Sequence, residues 1–396
     1  MHDEQSSADP SSTAPLAGLR VLEFGQFIAA PAAAQTLADM GADVIKIEPP
    51  SGDAARVVGW NRDAYGPMFT AYNRGKRSVV LDLRSEAGRA QARALIAGAD
   101  VLLQNMRPGS MEKLGLGGEQ LLAEFPRLVY GQVSGFGQRG PASVRPGFDI
   151  AAQAESGMMS LNGPRDGDPT RVGFTAVDSM AAHALTTGVL AALVRRGVTG
   201  RGGLVDVSLI DVAIEALGNA WAEYGLTGEL PLRCGNGQPH TAPAADVIAT
   251  ADGMVVISAY TQDHFPRLCA AIGRDDMATD PRFRENVGRV KNRADLRAEL
   301  SAALQNMSSD AVCDLLTRAG VVVGAVRTMA EVQAGHAGVS GDLFVDISAP
   351  GREAVRIPGL PLTIDGSARR SSRLPAIGEH TAEILAELQS RCRSHS

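Results

Sequence analysis

The sequence is poor in cysteine: Cys234, Cys269, Cys313 and Cys392 are the only four in 396 residues. They are far apart and form no CxxC pair, which excludes a disulfide framework and a cysteine zinc site and points to a reducing cytoplasm. A clustered basic face is also missing. The formal net charge is −6 with both signs scattered, unlike a nucleic-acid binder. No unbroken apolar run approaches the ~20 residues that span a bilayer, so no membrane partner is expected. The opening "MHDEQSSADPSSTAP" has neither a basic start nor an apolar centre. It does not read as a signal peptide, and residues 1–15 are expected to form a disordered tail. No segment repeats at a fixed period.

What is present is a chain 44% hydrophobic, long enough for two domains or for one large domain with an insertion. Strand and helix signals alternate from the start. "LRVLEF" (19–24), "ADVIKIE" (42–48), "SVVLDL" (78–83), "DVLLQN" (100–105) and "RLVYGQVSGFG" (127–137) read as strands. "AAPAAAQTLADM" and "SEAGRAQARALIAGA" read as helices between them. This alternation predicts an α/β fold with a parallel sheet and helices on both faces. The texture changes near residue 225, where Gly- and Pro-rich loops lead into charged amphipathic helices. The expected organisation is a large domain over 16–224 and 331–396, with a smaller domain inserted over 225–330.

Several residues are candidates for chemistry. Gly25 ends a strand and Glu48 ends the next about 20 residues on, the spacing of a dinucleotide-binding fingerprint. The turn "GQFIAAP" nevertheless lacks the second and third glycines that such a site needs. Asp178 stands where an apolar stretch gives way to the Ala-rich "SMAAHALTTGVLAALVRR". Helix capping is its plain reading. A carboxylate at a helix start in an α/β sheet also lies where such folds bind ligands. Arg107, before a predicted helix start, suits a phosphate or solvent, and Lys76 and Arg77 share that ambiguity. "CGNGQP" (234–239) is either a glycine turn or a flap whose N–H groups face a substrate.

The order of these blocks resembles the family III CoA-transferases, the group that includes formyl-CoA transferase, the carnitine-pathway CoA-transferase and α-methylacyl-CoA racemase. The resemblance covers residues 16–390. It rests on "LAGLRVLEFGQFIAAPAAAQTLADMGADVIKIEPPSGD", "NRGKRSVVLDL", "DVLLQNMRPGSMEKLGL", "SGFGQRGP", "TAVDSMAAHALTTGVLAAL", "TGRGGLVDVSLIDV" and "LPAIGEHTAEILAEL". It implies a Rossmann-like large domain, an inserted α+β domain and an interlocked homodimer. It implies that Asp178 is the catalytic carboxylate, and that Arg107, with Met106, Lys76 and Arg77, lies in the CoA-binding blocks. Gly235, Asn236 and Gly237 match the glycine flap that serves the substrate and its oxyanion. Gln26, Ile28 and Phe148 fall in loops near the active site. The implied substrates are an acyl-CoA and a carboxylic acid, with no permanently bound cofactor and no metal.

Two other activities share these blocks. A racemase needs a second base on the opposite face of the α-carbon, which its branch supplies as a His. Here Phe148 holds that position, and the nearby histidines His183 and His240 fall elsewhere. This points to transfer. A CoA-thioester-binding protein without turnover is the third reading, and an intact Asp178 argues against it.

Overall fold

Six short strands form the main sheet: β1 (Arg20–Glu23), β2 (Asp43–Glu48), β3 (Arg77–Val80), β4 (Val101–Gln104), β5 (Val129–Ser134) and, at an edge with alternate residues exposed, β6 (Gly203–Ser208). Every residue of β4 and β5 is buried, the pattern of a parallel sheet covered on both faces. The strands pair in parallel in the order β3-β2-β1-β4-β5-β6. The computed structural model describes residues 14–60, 62–237, 244–259, 261–335, 338, 343–364 and 372–394.

Alternate strand residues feed two cores. Val21, Val44, Val101, Leu103 and Val129 meet helices Ala29–Asp39 and Ala176–Thr199 on one face. Leu22, Ile45, Leu102 and Tyr130 meet helix Glu86–Ala97 on the other. The long helix Ala176–Thr199 comes very close to the sheet. A Cβ on Gly188 would lie 2.5 Å from Val205 Cγ1, and one on Gly131 would lie 3.0 Å from Leu185 Cδ1. The glycines are what allow the approach. This helix has 24 residues and is the only one among the described residues long and apolar enough to cross a membrane. Its Val177, Ala181, Leu185 and Val189 are buried in the core beside the sheet.

The chain divides into two units. The first comprises Met1–Met158, Val172–Ala222 and Ser340–Ser396; the second comprises Met159–Arg171 and Glu223–Val339. The second unit is built on an antiparallel sheet of β7 (Ala244–Ala249), β8 (Met254–Ala259) and β9 (Val322–Ala325). Phe265, Leu268, Phe283, Leu300 and Leu316 fill its core. In the first unit, an antiparallel hairpin of β10 (Phe344–Ala349) and β11 (Arg352–Pro358) packs with Tyr65 and Phe69.

A fully buried charge cluster lies where β1 and β2 end. Lys46 Nζ reaches Glu23 Oε1 at 3.0 Å, Gly25 O at 3.0 Å and Asp53 Oδ2 at 2.8 Å. Lys76 Nζ reaches Glu23 Oε2 at 3.0 Å, Asn73 Oδ1 at 2.9 Å and Pro31 O at 2.8 Å. Burial lowers the Lys76 pKa to about 8, against the pull of Glu23. Burial works against the Lys46 ammonium too, but Glu23 and Asp53 outweigh it and hold its pKa up. Asp53 thus adds a second carboxylate to Lys46, and Glu23 bridges two ammonium groups from which water is excluded.

Removing that carboxylate leaves buried charge without its partner, which costs about 3–5 kcal/mol. Glu23→Ala is therefore expected to lower the stability of the protein by that amount, read from urea unfolding. A change below about 1 kcal/mol would mean that the cluster is open to solvent.

Candidate active site

Parallel α/β sheets bind ligands outside the carboxyl ends of their strands, at the point where the strand order reverses. Here that point lies between β1 and β4. The two loops leaving it are tied together. Asn105 Oδ1 accepts the Gln26 N–H at 2.8 Å, and Asn105 Nδ2 donates to Gln26 O at 2.8 Å. In the same turn, a Cβ on Gly25 would stand 2.7 Å from Ala30 Cβ, so only glycine fits. Phe27 has φ +64°, the left-handed region that a bulky residue seldom adopts. It is the only non-glycine there among the described residues. Its ring meets Phe148 edge-on, with centroids 6.0 Å apart.

Asp178 stands in the first turn of the long helix, whose N-terminus lies toward the carboxyl end of β5. Thr175 is the residue at the N-cap and makes no side-chain cap bond. The sequence pattern made Asp178 the natural cap, but the cap comes from elsewhere. Asp149, in the first turn of helix Asp149–Glu155, is buried, and its Oδ2 accepts the Val177 N–H at 2.7 Å and the Asp178 N–H at 3.3 Å. Its Oδ1 accepts from Gln153 Nε2 at 2.6 Å, and Gln153 Oε1 accepts the Val172 N–H at 2.8 Å. The chain entering the helix is thus held at both ends by one Asp–Gln pair.

The Asp178 carboxylate itself has no hydrogen bond or ion pair among the described residues. Burial, and next the like charge of Asp149, push its pKa up to about 7. Tyr72 faces the same turn near the Thr175 and Ser179 hydroxyls, and burial raises its own pKa. An unpaired, half-buried carboxylate on a rigid helix is suited to nucleophilic attack or proton transfer.

The other residues singled out in the sequence fall into separate places. Arg107 follows β4 and is exposed; its carbonyl accepts the Ser110 N–H at 3.0 Å, while its guanidinium has no hydrogen-bond or ion-pair partner among the described residues. Met106 beside it is half-buried, packs on the core and donates its N–H to Gln104 Oε1. Two expected CoA contacts are spent elsewhere. Every donor of the Lys76 ammonium is used inside the charge cluster. Arg77 stands at the amino end of β3, the edge away from the crevice, paired with Asp43, Glu383 and Glu387. Ile28 is buried, whereas Phe148 is 58% exposed. Glu48 binds Arg56 at 2.7 Å through both oxygens, which also accept from the Asp53 N–H and the Ser78 hydroxyl, so its acceptor sites are used within the fold. His183 lines a separate cavity of about 560 Å³ with Met180, Asp206 and Asp211. His240 lies outside the described residues.

Gly235, Asn236 and Gly237 belong to the second unit. The Gly235 N–H donates to Gly163 O at 3.0 Å, and the Gly237 N–H to Cys234 O at 3.2 Å. Arg293 binds Asp246 at 2.8 Å and Cys234 O at 3.3 Å, and a Cβ on Gly237 would collide with its guanidinium. The turn is therefore pinned from beneath by Arg293.

Sequence reasoning missed Phe27, Tyr72, Asn105, Asp149 and Gln153. Only Asp149 carried a local signal, an acidic residue opening the helical "DIAAQAE".

The whole chain can be set beside known proteins. The family described as CoA-transferase family III matches residues 16–381. A succinate–glutarate CoA-transferase of Agrobacterium fabrum is 34% identical over 96% of this chain and 97% of the relative. An acetyl-CoA:oxalate CoA-transferase of Acetobacter aceti is 37% identical over 97% of this chain and 98% of the relative. Among solved structures, a CAIB/BAIF family protein from Brucella suis has a TM-score of 0.84 at 34% identity, over 95% of this chain and 99% of that one.

The raised Asp178 pKa has a consequence for stability. Between the ordinary carboxylate pKa of 3.8 and about 7, the folded chain holds a proton that the unfolded chain has released. Stability is therefore lost as pH rises through that window. Asp178→Asn cannot ionise, so its urea midpoint should exceed that of the unaltered protein at pH 8, by a margin that shrinks toward pH 5. A margin independent of pH would contradict the shift.

Proposed function

This chain belongs to CoA-transferase family III, and from that premise we propose that it moves CoA from a donor thioester to a free carboxylic acid with Asp178 as the nucleophile. The observation that carries this reading is the unpaired Asp178 carboxylate, held at a helix start and raised to about 7. Asp178 attacks the thioester carbonyl. A C–O bond forms, the C–S bond breaks, and CoA leaves as the thiolate. The thiolate then attacks the aspartyl carbonyl of the mixed anhydride, giving an enzyme–CoA thioester and releasing the donor acid as its carboxylate. The acceptor carboxylate runs the two steps in reverse. Each step exchanges one acyl bond for another, so protons and electrons balance and the thioester energy is kept.

Arg107 supplies the cation for a CoA phosphate. Its free guanidinium beside the crevice supports this, and Lys76 and Arg77 are not needed for it. For the acids, we favour short dicarboxylates, because the relatives just described are named for succinate, glutarate and oxalate. We also read the protein as a cytoplasmic homodimer. The exposed Val194 and Val198 on the long helix, and Leu204 on the edge strand β6, support self-association. The free thiols of Cys234, Cys269 and Cys313 suit a reducing compartment. Phe148 cannot carry a proton, which favours transfer over racemisation.

Asp178→Asn is expected to cut CoA transfer by on the order of a thousandfold or more, in an assay of acyl-CoA donors against dicarboxylic acids. Turnover near that of the unaltered protein would sink the mechanism. Arg107→Ala should raise KM for the thioester about tenfold with kcat nearly unchanged. A fall in kcat at constant KM would remove Arg107 from the phosphate role. In deuterated water, the α-hydrogen of a 2-methylacyl-CoA should exchange far more slowly than CoA transfers. Fast exchange to both epimers would move the assignment to racemase.

A further inference from the structure

A carboxylate at the start of a helix ordinarily sits on the free amides and is stabilised by them. Asp178 is denied that resting place, because the Val177 and Asp178 amides are already taken by Asp149 Oδ2. Asp149 is 3% exposed and its other oxygen is held by Gln153, itself fully buried, so it cannot swing away. We propose that Asp149 is a positioning residue for the transfer reaction: it fixes the helix start, takes the amides that would otherwise quench the Asp178 carboxylate, and keeps that nucleophile destabilised by its own negative charge.

The inference rests on Asp178 being the nucleophile. Its logic follows the charge. Free Asp178 faces a like charge across the helix start. When Asp178 becomes an anhydride and CoA departs, the negative charge moves to sulfur, away from Asp149. The repulsion is present in the ground state and falls as the bond forms, which is how binding geometry is turned into rate. The titratable groups facing Asp178 are Asp149 from helix Asp149–Glu155 and Tyr72 from helix Pro67–Tyr72. Of the two, Asp149 is the one whose like charge raises the Asp178 carboxyl. The raised pKa of Asp178 agrees with this arrangement.

The test is Asp149→Asn, which keeps an acceptor oxygen and removes the charge. Asp178 is titrated by infrared difference spectroscopy against Asp178→Asn, without turnover. The midpoint should fall by about one unit or more. The acid limb of kcat/KM should fall with it, and kcat at pH 8 should drop about threefold to tenfold with KM for the thioester nearly unchanged. A purely structural role would not move the limb to lower pH. Gln153→Leu is the second variant. It removes the donor that partly neutralises Asp149, so the midpoint should rise. A midpoint unmoved in whichever variants fold overturns the proposal. If instead Asp178→Asn keeps its turnover, the nucleophile reading fails, while the infrared midpoint still reports whether Asp149 governs Asp178.

Discussion

Two backbone amides, those of Val177 and Asp178, point at one buried carboxylate, and the character of Asp178 depends on that contact. Hydrogen bonds to a carboxylate lower its pKa and its basicity. With Asp149 occupying the amides, Asp178 has burial and a like-charged neighbour instead, and both push its pKa up. The helix start therefore stabilises one aspartate at the expense of the other. The destabilised one is the half-buried Asp178, whose carboxylate has no partner among the described residues.

This arrangement needs a rigid frame. The long helix is pressed onto the sheet through Gly188 and Gly131, and its buried residues share a core with β1, β4 and β5. At the switch point, Asn105 locks the Gln26 loop, and Phe27 is held in a strained backbone conformation against Phe148. Such strain persists only where the surroundings over-determine it. Below the crevice, Lys46, Glu23, Asp53 and Lys76 form a buried set of charges that fixes the ends of β1 and β2. These are internal supports, and they account for all three donors of the Lys76 ammonium.

Much of the sheet was legible in the sequence, because strands buried on both faces write themselves as short apolar runs: "ADVIKIE" is β2 and "DVLLQN" holds β4. Asp178 was legible as a junction residue, and its catalytic reading came from the resemblance of whole blocks. Its partner was not legible. Asp149 lies 29 residues earlier in the chain, and a cap supplied across that distance leaves no local pattern, so the periodicity assigned capping to Asp178 itself. The same limit applies to Lys76 and Arg77. Their position before a strand says nothing of which carboxylates the fold brings to them. Segment Met159–Arg171 belongs with the second unit through contacts such as Gly235 N–H to Gly163 O, again a long-range pairing. Phe27 is the remaining case, since no residue preference foretells a phenylalanine at positive φ.

The central claim is that Asp178 becomes covalently bound to CoA. The most direct measurement is mass spectrometry of the protein incubated with an acyl-CoA donor and no acceptor acid, digested, and treated in parallel with hydroxylamine. The account predicts a CoA adduct on the peptide that contains Asp178, converted to the hydroxamate by hydroxylamine and absent from the Asp178→Asn protein. An actively transferring enzyme that carries no adduct on that peptide, or carries it on another residue, would contradict it.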